Sequence, residues 1–382
     1  MRINELRQRL RALGAKPLHE ERLLRQWTQA LSLTSGKRRP EDFYPAALRA
    51  ALPDIERDLS GLLRLQSGHA GEDGSSRLLV ALADGQAVES VLLPRGGLCV
   101  STQVGCAVGC VFCMTGQSGL LRQLGSAEIV AQVVLARRQR VVKKVVFMGM
   151  GEPAHNLDNV LEAIALLGTA GGIAHKQLVF STVGDRRAFE RLPLGRVKPA
   201  LALSLHSTRP ELRARLLPRA PPIAPDELVA LGAAYARATG YPMQVQWTLM
   251  QGVNDGDEGV DGLTRLLTGS FAVLNLIPYN QVDGLDFKRP SWERAAEMAR
   301  TLHRRGILTK LRHSAGQDVE GACGQLRARN ATCHASGGNS CRLIDGGVPT
   351  PSTLRGWTCG PSGRPCHPHS GCGSRAIRCA NP

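Results

Sequence analysis

The apolar positions of the chain have a helical period at first. Up to about residue 60, Leu recurs every three or four positions among Arg, Lys and Glu, in INELRQRLRALG, HEERLLRQWTQALSL and ALRAALPDIERDL. This spacing predicts amphipathic helices with a basic face. The polar stretch GHAGEDGSS then interrupts the pattern. We therefore predict a small basic helical accessory domain over residues 1–75.

Strand patterns replace the helical pattern from about Arg77. RLLVALADG and AVESVLLP flank Asp84 and Gly85, a pair typical of a hairpin turn. Six further apolar strands alternate with helical segments: VVKKVVFMGMGEP, KQLVFSTVG, KPALALSLHS, PMQVQWTLM, FAVLNLIPYN and GILTKLRHS. Because such alternation produces parallel βα units, we predict an α/β fold over residues 76–327, a partial TIM-type (β/α)6 barrel after the hairpin. Its active site is expected at the carboxyl ends of the strands.

The last segment, residues 328–382, has no periodicity and is rich in Gly, Pro, Ser, Cys and Arg. This composition predicts a disordered tail, because it offers little apolar surface for a core. A metal cluster of Cys359, Cys366, Cys372 and Cys379 is disfavoured, since their spacing matches no zinc site.

Composition limits the classes of partner. The chain has 382 residues, a formal net charge of +16 and only 4% aromatic residues. Such a charge attracts polyanions, nucleic acid first, and the scarcity of aromatic residues favours phosphate contacts over base stacking. No apolar run is long enough for a membrane span, and the N-terminus lacks the apolar centre of a signal peptide. We expect a cytoplasmic protein without a membrane partner.

Cys106, Cys110 and Cys113 form the motif C-x3-C-x2-C. Iron–sulfur clusters usually have four cysteine ligands, so three leave one iron open. A zinc site would need a fourth Cys or His nearby, and none follows at such a spacing. The motif therefore favours the radical S-adenosylmethionine (SAM) signature, in which SAM binds the open iron of one 4Fe-4S cluster and an electron cleaves SAM to a 5′-deoxyadenosyl radical.

Polar residues follow several of the predicted strands, where barrel enzymes bind their ligands. They are Glu152 of GMGEP, Ser181, the run Ser204, Leu205 and His206, and Asn280. Each alone is explained as a cap or turn residue, whereas all of them at one rim indicate a shared ligand. Two more cysteines suggest redox or covalent chemistry. Cys99 is predicted at the start of the strand before residues 106–113, which are called the cluster loop, and Cys323 follows the last strand.

From about Val88 to Arg327 the chain resembles the RlmN/Cfr group of radical SAM RNA methyltransferases. The motifs that carry the resemblance occur in the family's order: VESVLLP, CVSTQVGCAVGCVFC, GMGEP, LALSLHS, GVND, NLIPYN, KRPS and ACGQLR. The resemblance implies that Cys106, Cys110 and Cys113 hold the cluster. It also implies a set of SAM-binding residues: Gly151, Glu152, Ser181, Ser204, Leu205, His206 and Asn280.

The resemblance further implies that Cys323 carries the methyl group as S-methylcysteine. Cys99 would release the product through a transient Cys99–Cys323 disulfide, and Glu89 would accept a proton. Two SAM molecules would be used per turnover, with electrons from a donor such as flavodoxin or ferredoxin. The substrate would be an adenine ring carbon, carbon 2 before carbon 8, in ribosomal or transfer RNA, with residues 1–75 as candidate RNA-binding domain. We expect a monomer.

Two other classes of function stay open. A radical SAM enzyme of another class would either not need Cys323, as a glycyl-radical activase, or need three more cysteines in an ordered domain, as a methylthiotransferase. A catalytically inactive RNA-binding or assembly factor would keep the positive charge but would not need the five thiols at positions 99, 106, 110, 113 and 323.

Overall fold

The computed structural model describes residues 1–117 and 119–328. The predicted disordered tail lies outside the described residues, apart from Ala328. All described residues belong to one compact unit. Within these two ranges, no helix has the length and apolar character that crossing a membrane requires.

The helices are α1 Ile3–Ala12, α2 Pro17–Thr28, α3 Ala46–Gly61, α4 Met114–Gln117, α5 Ser126–Arg137, α6 Leu157–Gly168, α7 Arg186–Arg191, α8 Pro210–Leu216, α9 Pro225–Thr239, α10 Asp257–Leu267 and α11 Trp292–Arg304. The strands are β1 Leu63–Ala70, β2 Ser76–Leu82, β3 Ala87–Leu93, β4 Gly97–Cys99, β5 Gln103–Gly105, β6 Leu120–Gln123, β7 Lys144–Phe147, β8 Leu178–Thr182, β9 Ala200–Ser204, β10 Met243–Leu249, β11 Ala272–Pro278 and β12 Thr309–Leu311.

Helices α1–α3 form where the Leu spacing predicts them. Their apolar stripes are buried, as at Leu6, Leu10 and Leu24, and α2 packs against α5 of the barrel. The backbone N–H of Ile3 donates to the hydroxyl of Ser126 at 2.8 Å. The N-terminal helices are therefore attached to the barrel, and the division at residue 75 stays a prediction.

Strand β1 differs from the helical pattern expected of residues 1–75. It pairs antiparallel with β2 at the edge of the sheet. Only Leu63 is buried, and the strand's other side chains are partly buried or exposed, because an edge strand needs no continuous apolar run. Strands β2 and β3 form the predicted hairpin, in which Gly85 of the turn has a φ of 83°.

The large sheet has the order β1-β2-β3-β4-β7-β8-β9-β10-β11-β12. Neighbours from β4 through β7 to β12 pair in parallel, so the α/β class and the partial barrel are confirmed. The prediction that Cys99 begins a strand was wrong, because Cys99 is the last residue of β4. The reason is that Val100 still bonds to Val146 of β7, whereas the N–H of Ser101 donates to the side chain of Gln132.

Candidate active site

A cavity of about 160 Å³ opens at the carboxyl ends of the parallel strands. The loop between β5 and α4 supplies one wall, and the segments after β7, β8, β9 and β11 supply the others. Nine residues predicted from the sequence line it: Cys106, Cys110, Cys113, Gly151, Glu152, Ser181, Ser204, His206 and Cys323. The fold thus brings most of the predicted site together.

The three cysteines of the motif are free thiols on this wall. Burial raises the pKa of Cys106 to about 12, and Glu152 and Cys113 add to the effect. Because their pKa is raised, these thiols become thiolates at neutral pH only beside a positive charge, and bound iron would provide that charge. In the described part of the chain, no three His, Cys, Asp or Glu side chains lie close enough together to hold one metal ion. A 4Fe-4S cluster fits this donor set, since each thiolate binds a different iron.

Arg213 of α8 places a buried positive charge beside the cluster loop. Its guanidinium donates to the carbonyl oxygen of Val183, and its Nε has no partner among the described residues. Burial lowers the pKa of Arg213 to about 10, and the nearby Cys110 and Glu152 oppose this shift. Arg213 stays cationic at neutral pH and offsets negative charge at the cluster loop.

Glu152 is placed by the short turn after β7. Gly151 has a φ of 102°, and a Cβ on it would lie 2.6 Å from Cβ of Gln103, so glycine is required. Burial raises the pKa of Glu152 to about 7, while hydrogen bonds from Thr182 and the N–H of Val183 oppose the shift. A ligand ammonium would stabilise the carboxylate form.

His206 has a φ of 60° after β9, which turns its ring into the cavity. Its Nδ1 accepts from the N–H of Thr248 at 2.9 Å. Burial lowers its pKa to about 3, and Arg213 adds to the effect. The imidazole is therefore neutral, with the proton on Nε2, where it can donate to a ligand. The ring of Phe112 packs edge-on against it, with centroids 5.0 Å apart.

The polar cavity residues that were not singled out from the sequence include Gln246, Thr248 and Tyr279. Gln246 and Thr248 belong to β10, where polar residues alternate with buried apolar ones in MQVQWTL. That period of two was the signal that could have identified them. The Tyr279 hydroxyl is buried without a partner in the described residues, so it is available to a bound ligand.

A second cavity, of about 290 Å³, adjoins the first and contains Cys99. Cys323 lines both cavities. Burial raises the pKa of Cys99, and the charge of Cys323 raises it further, which reflects their proximity. Both are free thiols here, so the expected disulfide is absent from this structure. Cys323 is exposed towards the cavities, yet surrounding protein raises its pKa as well.

The segment that carries Cys323 is held by hydrogen bonds on several sides. The carbonyl oxygen of Cys323 accepts a hydrogen bond from Nδ2 of Asn280 at 2.9 Å. The N–H of Met114 donates to the carbonyl of Gly324, which ties this segment to the cluster loop. On the hairpin side, the carboxylate of Asp73 accepts from the N–H of Gly316 at 3.0 Å. These contacts fix the thiol between the two cavities.

Three predicted site residues do not line either cavity. Asn280 donates to the hydroxyl of Ser314 and to Cys323, so in this structure it positions the thiol. Leu205 has a side chain fully buried in the core. Glu89 is fully buried and accepts from Arg77 at 2.5 Å. The assignments of Asn280 and Leu205 to SAM and of Glu89 to proton transfer stay predictions.

Comparisons with known proteins agree with this geometry. Residues 100–261 match the model of the Radical SAM superfamily. A protein of Methylibium petroleiphilum named "Probable RNA methyltransferase" is 75% identical, over 86% of this chain and 93% of its own length. A protein of the same description from Pseudomonas aeruginosa is 69% identical, over 86% of this chain and 96% of its own length.

A solved structure shows the same fold. It is the crystal structure of a radical SAM methyltransferase from Sphaerobacter thermophilus, with a TM-score of 0.75 and 35% identity over 86% of this chain and 98% of that one. The family implies one 4Fe-4S cluster and SAM, and the cavity residues fit both. The chain therefore belongs to the RlmN-like radical SAM RNA methyltransferases, and it is an enzyme.

Proposed function

We propose that this enzyme transfers a methyl group from SAM to carbon 2 of an adenine in ribosomal or transfer RNA, with S-methylcysteine at Cys323 as the intermediate. The observation that carries the proposal is the position of Cys323. Its thiol lines the cavity that contains the cluster cysteines, and it also lines the cavity that contains Cys99. A carrier thiol needs access to the methyl donor on one side and to the acceptor on the other.

The acceptor chemistry explains why a carrier is needed. Carbon 2 of adenine is electron-poor and is a weak nucleophile, so direct attack on a SAM methyl group is unfavourable. When bound at Cys106, Cys110 and Cys113, the cluster with SAM supplies the methyl group and the radical chemistry. All three of Glu152, His206 and Tyr279 line this cavity. In the proposal, Glu152 accepts a hydrogen bond from an ammonium, and His206 Nε2 and the Tyr279 hydroxyl donate hydrogen bonds to the bound ligand.

Cys99 is proposed to release the product. The Cys99 thiolate attacks Sγ of Cys323, the S–S bond forms, and the S–C bond to the modified adenine breaks. The electron pair of that bond passes to the carbon, which takes a proton and becomes the methyl group. The disulfide is then reduced by a cellular thiol. This step requires nearby thiols with accessible geometry, and the shared cavity supports it.

Further parts of the proposal come from charge and family. A net charge of +16 favours RNA as the partner, and the basic helices α1–α3 are proposed to contact RNA phosphates. We also propose that each turnover consumes two SAM molecules, that the electrons come from a flavodoxin- or ferredoxin-type donor, and that the protein is a monomer.

The test is mass spectrometry of nucleosides from ribosomal and transfer RNA of cells that lack the gene. Wild-type protein should restore 2-methyladenosine, whereas Cys323→Ala should not. Cys99→Ala should accumulate a covalent protein–RNA adduct, seen as an RNase-sensitive shift in a denaturing gel. The iron and sulfide content of both variants is the control for an intact cluster.

Two results would contradict the proposal. If no methyladenosine changes on deletion, the substrate class is wrong. If Cys323→Ala methylates as well as wild type, the S-methylcysteine step is wrong even if RNA is the substrate.

A further inference from the structure

The cavity that contains Cys99 and Cys323 has a cationic side that the reaction described above does not use. Lys144 and Arg312 line it, together with the exposed His313. Lys144 is the first residue of β7 and is only partly exposed. Among the described residues, the lining contains no Asp or Glu.

Lys310 belongs to the same group of charges. It pairs in register with Asn275 of β11, which lines the cavity, and Nε of Arg312 donates to the Asn275 side chain at 2.8 Å. Lys310 and Arg312 are two residues apart, so they point to the same face. Burial lowers the pKa of Lys144, and Arg312 and Lys310 lower it further.

The positive charges of Lys144, Lys310 and Arg312 repel one another, and no carboxylate of the described cavity lining neutralises them. The arrangement therefore favours the binding of an anionic ligand. In the described part of the chain, no carboxylate oxygen lies within 4.0 Å of the charged nitrogens of these three cations. Phosphate is the anion that accompanies a nucleobase, and Arg and Lys both bind it. The side chains of Lys144, Lys310 and Arg312 are called the cation triad below.

The distance along the strands from Lys144 to the level of Cys99 suits one nucleotide. On neighbouring strands β4 and β7, Gly97 pairs with Lys144 and Cys99 pairs with Val146. Lys144 is therefore two residues along the strand from the level of Cys99, roughly 7 Å. A cavity of about 290 Å³ is at the lower end of small-molecule sites, too small for a stacked duplex. Enzymes that modify a base draw it out of its stack into such a pocket.

An aromatic pair at the rim favours nucleic acid over a free phosphate. The half-exposed Trp292 stacks on His313, with ring centroids 4.3 Å apart and an angle of 22° between the planes. Exposed rings beside cations are typical of surfaces on which unpaired bases stack.

We propose that this cavity receives a single extruded nucleotide of the RNA, and that Lys144, Lys310 and Arg312 bind the phosphates on either side of it. The inference rests on the proposed function and adds the contacts that place the adenine beside Cys323. The triad positions the substrate and takes no part in bond making.

The test is the salt dependence of RNA binding by the cluster-loaded full chain. The probe is a fluorescein-labelled single-stranded RNA heptamer with one central adenosine among uridines, followed by fluorescence anisotropy. For single strands, each lost phosphate contact should reduce the slope of log K against log salt by about 0.7. Lys144→Gln and Arg312→Gln should each show this reduction.

Two control variants separate the triad from general charge. Arg312→Lys keeps the cation and should retain the wild-type slope. Arg237→Gln removes an exposed cation of α9 that lies outside the cavity, and its slope should also be unchanged. Thermal unfolding checks that each variant is folded.

The inference is overturned if Lys144→Gln and Arg312→Gln keep the wild-type slope, or if the wild type does not bind the heptamer. The proposed function has a separate readout, the methyladenosine content of cellular RNA. Restored 2-methyladenosine together with unchanged slopes would therefore reject the triad alone.

Discussion

The buried ion pair between Arg77 and Glu89 gives a prediction that separates structure from catalysis. Glu89 has no exposed side-chain surface and Arg77 only 5%, with 2.5 Å between Arg77 Nη1 and Glu89 Oε1. The other carboxylate oxygen accepts from the N–H groups of Arg327 at 2.8 Å and Ala328 at 3.1 Å. The carboxylate thus joins the β2–β3 hairpin to the segment that follows Cys323.

The expected cost follows from this geometry. Removing one partner of a buried ion pair leaves an uncompensated charge and typically costs roughly 3–5 kcal/mol. Glu89→Gln should therefore lower the free energy of unfolding by about that amount, and Arg77→Met by a similar amount. The double variant leaves neither charge alone, so it should cost less than the sum of the two single variants, by roughly 2 kcal/mol.

The assay is urea unfolding of the three variants and the wild type at one pH, followed by circular dichroism, with nucleoside analysis of RNA from cells that express each variant. If Glu89→Gln unfolds like the wild type and the two substitutions are additive, the ion pair does not hold the structure together. Loss of methylation in such a fully stable variant would instead support Glu89 as the proton acceptor that the family resemblance implies.

Two further predictions concern the cavities. Asn280→Ala removes the donor to the Cys323 carbonyl, so methyl transfer in a single-turnover assay should fall by about tenfold for roughly 1.4 kcal/mol of lost positioning, while SAM binding measured by equilibrium dialysis is retained; equal losses in both would assign Asn280 to SAM. His206 has a folded pKa of about 3 against an ordinary 6.5, so its stabilisation is present above pH 6.5 and is lost as pH falls towards 3. Between pH 7.5 and 5.5 it contributes about 1.4 kcal/mol of this loss, and His206→Asn, which tolerates the positive φ, should have a shallower pH dependence of urea unfolding.

Much of the fold could be predicted from the sequence because its periodicities are local. The Leu spacing of α1–α3 and the alternating strands and helices from β7 to β12 depend on neighbours within one element. Strand β1 was not predicted, because its pairing with β2 is a long-range contact of a half-exposed edge. Cys99 was assigned to the wrong end of a strand, because the end of β4 depends on the hydrogen bond from Ser101 to Gln132.

The site was predicted unevenly for a similar reason. The three cysteines of the motif and Glu152 stand in contiguous motifs, so spacing and strand ends predicted them, and all four line one cavity. Asn280 and Glu89 also stand in motifs, yet their contacts with residues 314–328 turn them away from the cavities. Such contacts join residues far apart in the chain, and a motif does not contain them.

The sequence by itself determined the α/β class and the family, and it placed three cysteines in one short motif, because each of these depends on short segments whose chemistry is local. Only the tertiary structure decided that Cys323 lines two cavities at once and that Lys144 and Arg312 line the cavity of Cys99. The physical reason is the curvature of the sheet, which brings β4, β7 and β12 around one interior although β7 and β12 are not neighbours. Distances across such an interior depend on the packing of the whole barrel.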